Sequence, residues 1–404
     1  MKRRLGTFDA VVIGLGSMIG AGVFVAMAPA AAAAGSWLPL GLAIAALVAY
    51  CNATSSARLA ARYPQSGGTY VYGRERLGPF WGHAAGWSFV VGKTASCAAM
   101  ALTVGAYAWP AHANAVAVAA VLALTAVNVA GVQKSALLTR VIVAVVLAVL
   151  VMVVVVAVDP GRIGSTTFQG SVGVGGVLQS AGLLFFAFAG YARIATLGEE
   201  VRDPATVIPR AISTALTITL VVYAAVAVTV LSALGASGLA SATAPLADAV
   251  TAAGHPGLAP VVRVGAVVAA LGSLLALILG VSRTTLAMAR DRHLPGTLAA
   301  IHPRFDTPYR AEIAVGVVVA VVVALVDVRG AIGFSSFAVL VYYAIANASA
   351  FTLGRRVVPT IGLIGCVVVA FALPTAAVLS GAAVVLLGAL AFGVRRRIGV
   401  HTAP

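Results

Sequence analysis

Apolar runs of about 20 residues alternate with short polar breaks along almost the whole chain, and a helix of about that length crosses a bilayer core. The pattern predicts spans near 8–33, 38–59, 80–107, 113–132, 136–158, 174–198, 207–235, 257–284, 311–327, 331–352, 358–373 and 375–394. At the boundary of the last two, Pro374 and its polar neighbours admit either a tight hairpin or a longer kinked element. The glycine-rich stretch 170–176 falls in the longest loop on the outer side. It follows no strand, so it is not a nucleotide-binding loop.

Composition removes the soluble alternative. Of 404 residues, 61% are hydrophobic and 9% charged, against about half and about a quarter in a soluble domain. The expected fold is an all-α polytopic membrane protein of about 12 transmembrane helices. Lys+Arg number 26 against Asp+Glu 11, a net charge of +15. In a soluble protein that excess would point to nucleic acid. Here the basic residues lie in ones, twos and threes between apolar runs, so topology accounts for them and no nucleic acid partner is expected. With the N-terminus inside, 21 basic residues fall on the inner side and only Arg162, Arg263 and Arg329 on the outer side. Lys93 and Arg193 lie within spans. This predicts a multi-pass plasma membrane protein with both termini cytoplasmic, and the excess of Arg over Lys fits a bacterial source. Cys51, Cys97 and Cys366 sit in apolar stretches and imply no disulfide framework. The first apolar run leads straight into the others, unlike a cleavable signal. No histidines stand at metal-ligand spacing and no nucleophile–base pair falls in a span, so neither metal, cofactor nor enzymatic activity is expected.

Two spans carry interruptions. The first reads Gly14-Leu15-Gly16-Ser17-Met18-Ile19-Gly20-Ala21-Gly22, and each glycine weakens a helix by about 1 kcal/mol relative to alanine. An opened helix exposes N–H groups at the start of its second half and carbonyls at the end of its first. The first end favours anions and the second cations, a pair of ends that suits a zwitterion. The sixth span carries Phe185-Phe186-Ala187-Phe188-Ala189-Gly190-Tyr191. Counted from the first span, the sixth opens a second set of five, which enters the membrane inverted because five is odd. Interrupted segments at matching positions of two halves point to a substrate site at the repeat interface.

These residues resemble the amino acid–polyamine–organocation (APC) superfamily of permeases. The resemblance rests on Gly16 to Phe24 in the first helix and on Phe185 to Tyr191 followed by Glu199-Glu200-Val201-Arg202-Asp203-Pro204 and Ile208-Pro209-Arg210. Arg62-Tyr63-Pro64 with Gly67-Gly68-Thr69-Tyr70 adds the loop between the second and third helices. The resemblance implies a LeuT-type five-plus-five inverted repeat, here 8–158 and 174–352, with two additional helices in 358–394. It also implies alternating-access transport of amino acids or related amines. Carried over, the pattern places a substrate carboxylate on the N–H groups near Gly20, Ala21 and Gly22, with the hydroxyl of Ser17 in support. The substrate amino group would meet carbonyls near Ile13 and Gly14 and those of Phe186, Ala187 and Ala189, with Phe186 or Phe188 as an aromatic lid.

No acidic residue falls at mid-depth in a span; Glu312 and the others lie at ends or in loops. A cationic side chain in a low-dielectric cavity needs a carboxylate partner, so the expected substrate is a neutral, apolar amino acid. Lys93, about thirteen residues into the third span, is either a titrating group that couples transport to protons or a structural lysine whose ammonium caps carbonyls. Some proton-linked members of the superfamily carry a lysine on the fifth helix, but alignment through Asn128, Gly131 and Val132 leaves Val145 or Val146 there. Arg193 is expected to pair with Glu199 or Glu200. The stretch 62–78 is expected to form an amphipathic gate helix at the membrane interface. Competing readings are an exporter of methionine or branched-chain amino acids, an exchanger, and a sensor on the same fold. The last lacks room for a signalling domain.

Overall fold

The computed structural model describes residues 5–63, 67–131, 136–195 and 200–397. Pro64, Val132 and Glu199 lie outside them, as do Lys2, Arg3, Arg4 and Lys134 among the 21 basic residues counted to the inner side. The described residues are almost entirely helical, with one isolated bridge between Leu5 and Val201 in place of any strand. Among the described residues, ten helical segments are long and apolar enough to cross a membrane.

The first span is built of three pieces, α1 (Thr7–Met18), α2 (Ala21–Val25) and α3 (Met27–Ala34). The second is the continuous α4 (Leu38–Arg62), followed by the short α5 (Thr69–Leu77) and the third span α6 (Pro79–Ala108). Gly78, at φ +105°, makes the corner between α5 and α6, a conformation open to glycine, and Pro79 then occupies the first helical position. The fourth and fifth spans are α7 (Ala113–Val129) and α8 (Ala136–Ala157), and the loop that follows adds α9 (Pro160–Thr166). The sixth span is α10 (Val174–Phe188), a 3-10 turn at Ala189–Tyr191 and α11 (Ala192–Ala195).

The chain continues with α12 (Pro204–Ser241), which bends at Gly235 (φ +68°), where the sequence ends its span. Then follow α13 (Pro245–Ala252), α14 (Ala259–Arg290), α15 (Tyr309–Leu325) and α16 (Val328–Phe351). The last two helices are α17 (Val357–Phe371) and α18 (Thr375–Arg397). They are separate elements joined by the short turn before Thr375, and both pack on α16. At 15 residues α17 is shorter than a full crossing.

The basic residues make two separate sets of contacts. Arg58 donates to the carbonyls of Gly354 and Arg355, Arg76 to Thr352, Arg74 to Asp291, and Arg395 to the carbonyl of Arg292. All these arginines belong to the larger of the two basic groups in the sequence. In the second set Arg162 reaches the carbonyl of Ala233, Arg263 that of Tyr107 and Arg329 that of Ala240. The glycine-rich loop is tied down too: Trp37 donates to the carbonyl of Gly170 and Ser36 to that of Gln169.

A helix forms within the stretch 62–78, as α5. Its Tyr70 and Tyr72 are buried in protein, while Arg74, Glu75 and Arg76 stay at least partly exposed. The hydroxyl of Tyr70 donates to Asp291 (2.5 Å) and lies 3.0 Å from Nδ1 of His293, while Tyr342 accepts the backbone N–H of Thr69. Those partners at the ends of α14 and α16 draw the aromatic face of α5 inward.

Candidate functional site

The two interruptions face each other across the centre of the bundle. A Cβ built on Gly22 would lie 2.7 Å from Cα of Ala187, and one on Gly190 would collide with the backbone of Ser17 and Met18. The glycines therefore allow backbone to meet backbone. Ala21, Gly22 and Phe24 on one side, and Ala187 and Phe188 on the other, are buried.

Opening the helix between Met18 and Ala21 frees carbonyls that buried structure must satisfy. Ile19 still donates to the carbonyl of Leu15 (2.7 Å), after which Gly20 turns the chain. The carbonyl of Gly16 then accepts the hydroxyl of Ser273 on α14 (3.1 Å), and that of Met18 accepts Tyr223 on α12 (2.5 Å). Tyr223 also lies 3.1 Å from the carbonyl of Ala187, so one hydroxyl bridges both breaks. Tyr107 of α6 donates to the carbonyl of Phe24 (2.9 Å).

Of the residues singled out from sequence, Gly20, Ala21 and Gly22 begin the second half of the broken helix. Gly20 packs on Ser273, and Gly14 packs on Ile194 and Ala215. Ser17 donates its hydroxyl to the carbonyl of Ile13 (3.0 Å), which ties it to its own helix. Phe188 is sealed edge-on against Tyr223, with ring centroids 5.0 Å apart. Phe186 is the less enclosed of the two aromatic candidates.

Lys93 joins this group. It is only 6% exposed, and its Nζ donates to the carbonyl of Ala189 at 3.1 Å, in the turn that breaks the sixth span. The hydroxyl of Tyr343 approaches the same oxygen (3.4 Å). The coupling candidate and an amine-binding candidate are thus in direct contact. The polar groups that sequence reasoning missed are Tyr223, Ser273, Tyr343 and Tyr107. Each lies in a helix that carries several other hydroxyl residues, so no local pattern marks it out.

Arg193 is half-buried, and Glu200 contributes an attractive charge to it. Glu312, expected at a span end, does lie in the first turn of α15, yet it is fully buried and neither carboxylate oxygen has a hydrogen-bond partner. It faces the charge of Arg283. No group of three or more His, Cys, Asp or Glu that could hold a metal occurs among the described residues.

A membrane bundle with two opposed helix breaks, lined by backbone carbonyls and hydroxyls, is a transporter's architecture rather than an enzyme's. Comparison with known proteins gives the class a family. Residues 9–391 match the amino acid permease family. The chain belongs to that family, within the APC superfamily. It is 70% identical to an uncharacterized transporter of Mycobacterium tuberculosis, over 98% of this chain and 92% of the relative. It is 28% identical to a branched-chain amino acid permease of Bacillus subtilis, over 77% of this chain and 72% of that protein. A chloroplastic cationic amino acid transporter of Arabidopsis thaliana is 30% identical, over 87% of this chain and 65% of that protein.

Proposed function

We propose that this permease moves neutral, apolar amino acids across the plasma membrane by alternating access. Both termini would be cytoplasmic, and 8–158 and 174–352 would be inverted repeats that carry 358–394 as additional helices. The observation that carries the reading is the contact of the two breaks, Gly22 against Ala187 and Gly190 against Ser17. A substrate carboxylate would take the N–H groups of Gly20, Ala21 and Gly22, with Ser17 turning its hydroxyl from Ile13 to support it. The substrate ammonium would take carbonyls of Ile13, Gly14, Phe186, Ala187 and Ala189, and Phe186 would close over the side chain.

No described carboxylate contacts the breaks, so a second positive charge on the substrate would go unpaired. The similarity to a branched-chain permease agrees with a neutral substrate. The similarity to a cationic amino acid transporter is the reason to test basic substrates beside neutral ones. The experiment is counterflow in proteoliposomes preloaded with unlabelled neutral amino acids, with labelled leucine, methionine, alanine, arginine and putrescine offered outside in turn. Accumulation of a neutral amino acid is expected. Accumulation of arginine or putrescine alone would overturn the substrate class.

A further inference from the structure

The ammonium of Lys93 sits where the proposed site needs the substrate's own ammonium. Its Nζ lies 3.1 Å from the carbonyl of Ala189, at the end of a side chain that reaches from α6 to the broken sixth span. The chemistry is the same on both sides of the comparison: a primary ammonium, a backbone carbonyl and a buried setting. Two ammonium groups cannot share that oxygen, because two like charges at contact in a low-dielectric region repel strongly. Among the described residues, Cys97 is the one group whose charge acts on Lys93. Lys93 takes part in no ion pair among the described residues. The titratable groups that face it are Cys97, one turn along its own helix, and Tyr343 from α16 at the same carbonyl. Neither is a carboxylate. An ammonium displaced from Ala189 would therefore be buried without a counter-charge, and a buried amine in that position sheds its proton.

We infer that Lys93 is a tethered competitor for the substrate amine, so that proton and amino acid exclude each other and the permease works as an amino acid/proton antiporter. The inference rests on the reading of the site given above. In the proton-loaded form the Lys93 ammonium holds the carbonyl of Ala189. When substrate enters as the zwitterion, its ammonium takes that carbonyl. The Lys93 side chain becomes a neutral amine and one proton passes to water on the side to which the site is open. The site carries one ammonium before and after, and the proton is accounted for. Coupling of this kind is reciprocal: protonation weakens substrate binding as much as substrate weakens protonation. A carrier that crosses with one or the other exchanges them, and an inward proton gradient then drives a neutral amino acid out.

The test is equilibrium binding of labelled leucine, methionine and alanine to the purified chain in nanodiscs between pH 5.5 and 9.5, for wild type, Lys93→Met, Lys93→Arg and Gly22→Ala. Wild-type affinity should rise with pH, by up to about tenfold per unit while Lys93 is protonated. Lys93→Met should bind at every pH as tightly as wild type does in alkali, and Lys93→Arg, permanently charged, should bind weakly at every pH. In weak buffer, substrate should release protons from wild type and none from Lys93→Met. If wild type binds but its affinity is flat with pH, or Lys93→Met is no tighter than wild type in acid, the competition is overturned while the site stands. Because Lys93→Arg and proton release are independent readouts, a Lys93→Met that fails to fold still leaves the idea exposed to refutation. If wild type binds none of the three at any pH, or if Gly22→Ala binds as wild type does, the site itself fails and the inference goes with it.

Discussion

Two glycines of one motif do different work. At Gly22 an added methyl would meet the Cα of Ala187 at 2.7 Å, and backbone has nowhere to go. At Gly16 it would meet only the side chains of Val143 and Thr139, at 3.3 and 3.4 Å, which a rotation of a few tenths of an ångström relieves. Gly22→Ala is therefore expected to lower uptake at least tenfold while reaching the membrane in normal amount. Gly16→Ala should retain most activity, and equal loss in both would remove the backbone contact from the site. A second residue-scale case is Asn347, fully buried, whose amide donates to Asn52 (2.6 Å) and accepts from Ser55 (2.7 Å). Cys366 shares the Oδ1 of Asn52 at 3.2 Å. Asn347→Leu strands the Ser55 hydroxyl, at about 1–3 kcal/mol for a group left unpaired, and leaves Asn52 Oδ1 with only the weak Cys366 donor. A clear drop in the unfolding temperature in detergent is expected, and an unchanged transition would show that these bonds are replaced by others.

At the scale of elements, α5 is a latch more than a surface helix. Tyr70 and Arg74 both meet Asp291 beyond the end of α14, and His293 lies against Tyr70 and His83, whose rings stand 5.7 and 5.1 Å away. Burial first, and then the neighbouring His83, push the imidazole of His293 down to about 4, although Asp291 pulls the other way. A histidine held neutral in the folded chain binds fewer protons than the unfolded chain does. Stability from this group is therefore present above about 6.5 and lost progressively as pH falls toward 4. The unfolding temperature should decline across that window in wild type, and His293→Gln should flatten the decline. An identical slope in the variant would assign the acid sensitivity to other groups. The burial of α5 was not legible in the sequence, because its tyrosines read equally as interface anchors and as core. The glycine cluster made the first break legible from composition alone. The sixth-span break, with one glycine, is weaker on composition and is read from its matching position in the second set of five. Lys93 stood out as a charge in an apolar run, but its carbonyl partner lies 96 positions away, and no local pattern records such a pairing. Tyr223 and Ser273 stayed hidden for the same reason, since one hydroxyl leaves hydropathy almost unchanged.

For the whole molecule, sidedness is where charge, contacts and aromatic residues can be set against one another. The arginines counted to one side do interlock at one end of the bundle, Arg58 with the Gly354–Arg355 turn and Arg395 with that of Arg292. The three counted to the other side dock at the opposite end. Exposed Trp81 lies with the basic end and exposed Trp109 with the other, the two levels at which indole rings settle in a bilayer. These contacts fix which loops share a side, while the choice of the cytoplasm for the basic side rests on the charge rule. Single cysteines decide it. With the native Cys51, Cys97 and Cys366 all buried, background labelling should be low. A membrane-impermeant maleimide should label Arg162→Cys in intact cells and reach Arg76→Cys or Arg355→Cys only after permeabilisation. The reverse pattern would place the basic end outside and turn the transport cycle around, so that the antiport inferred from Lys93 would begin from the opposite face with the same pairing of proton against substrate.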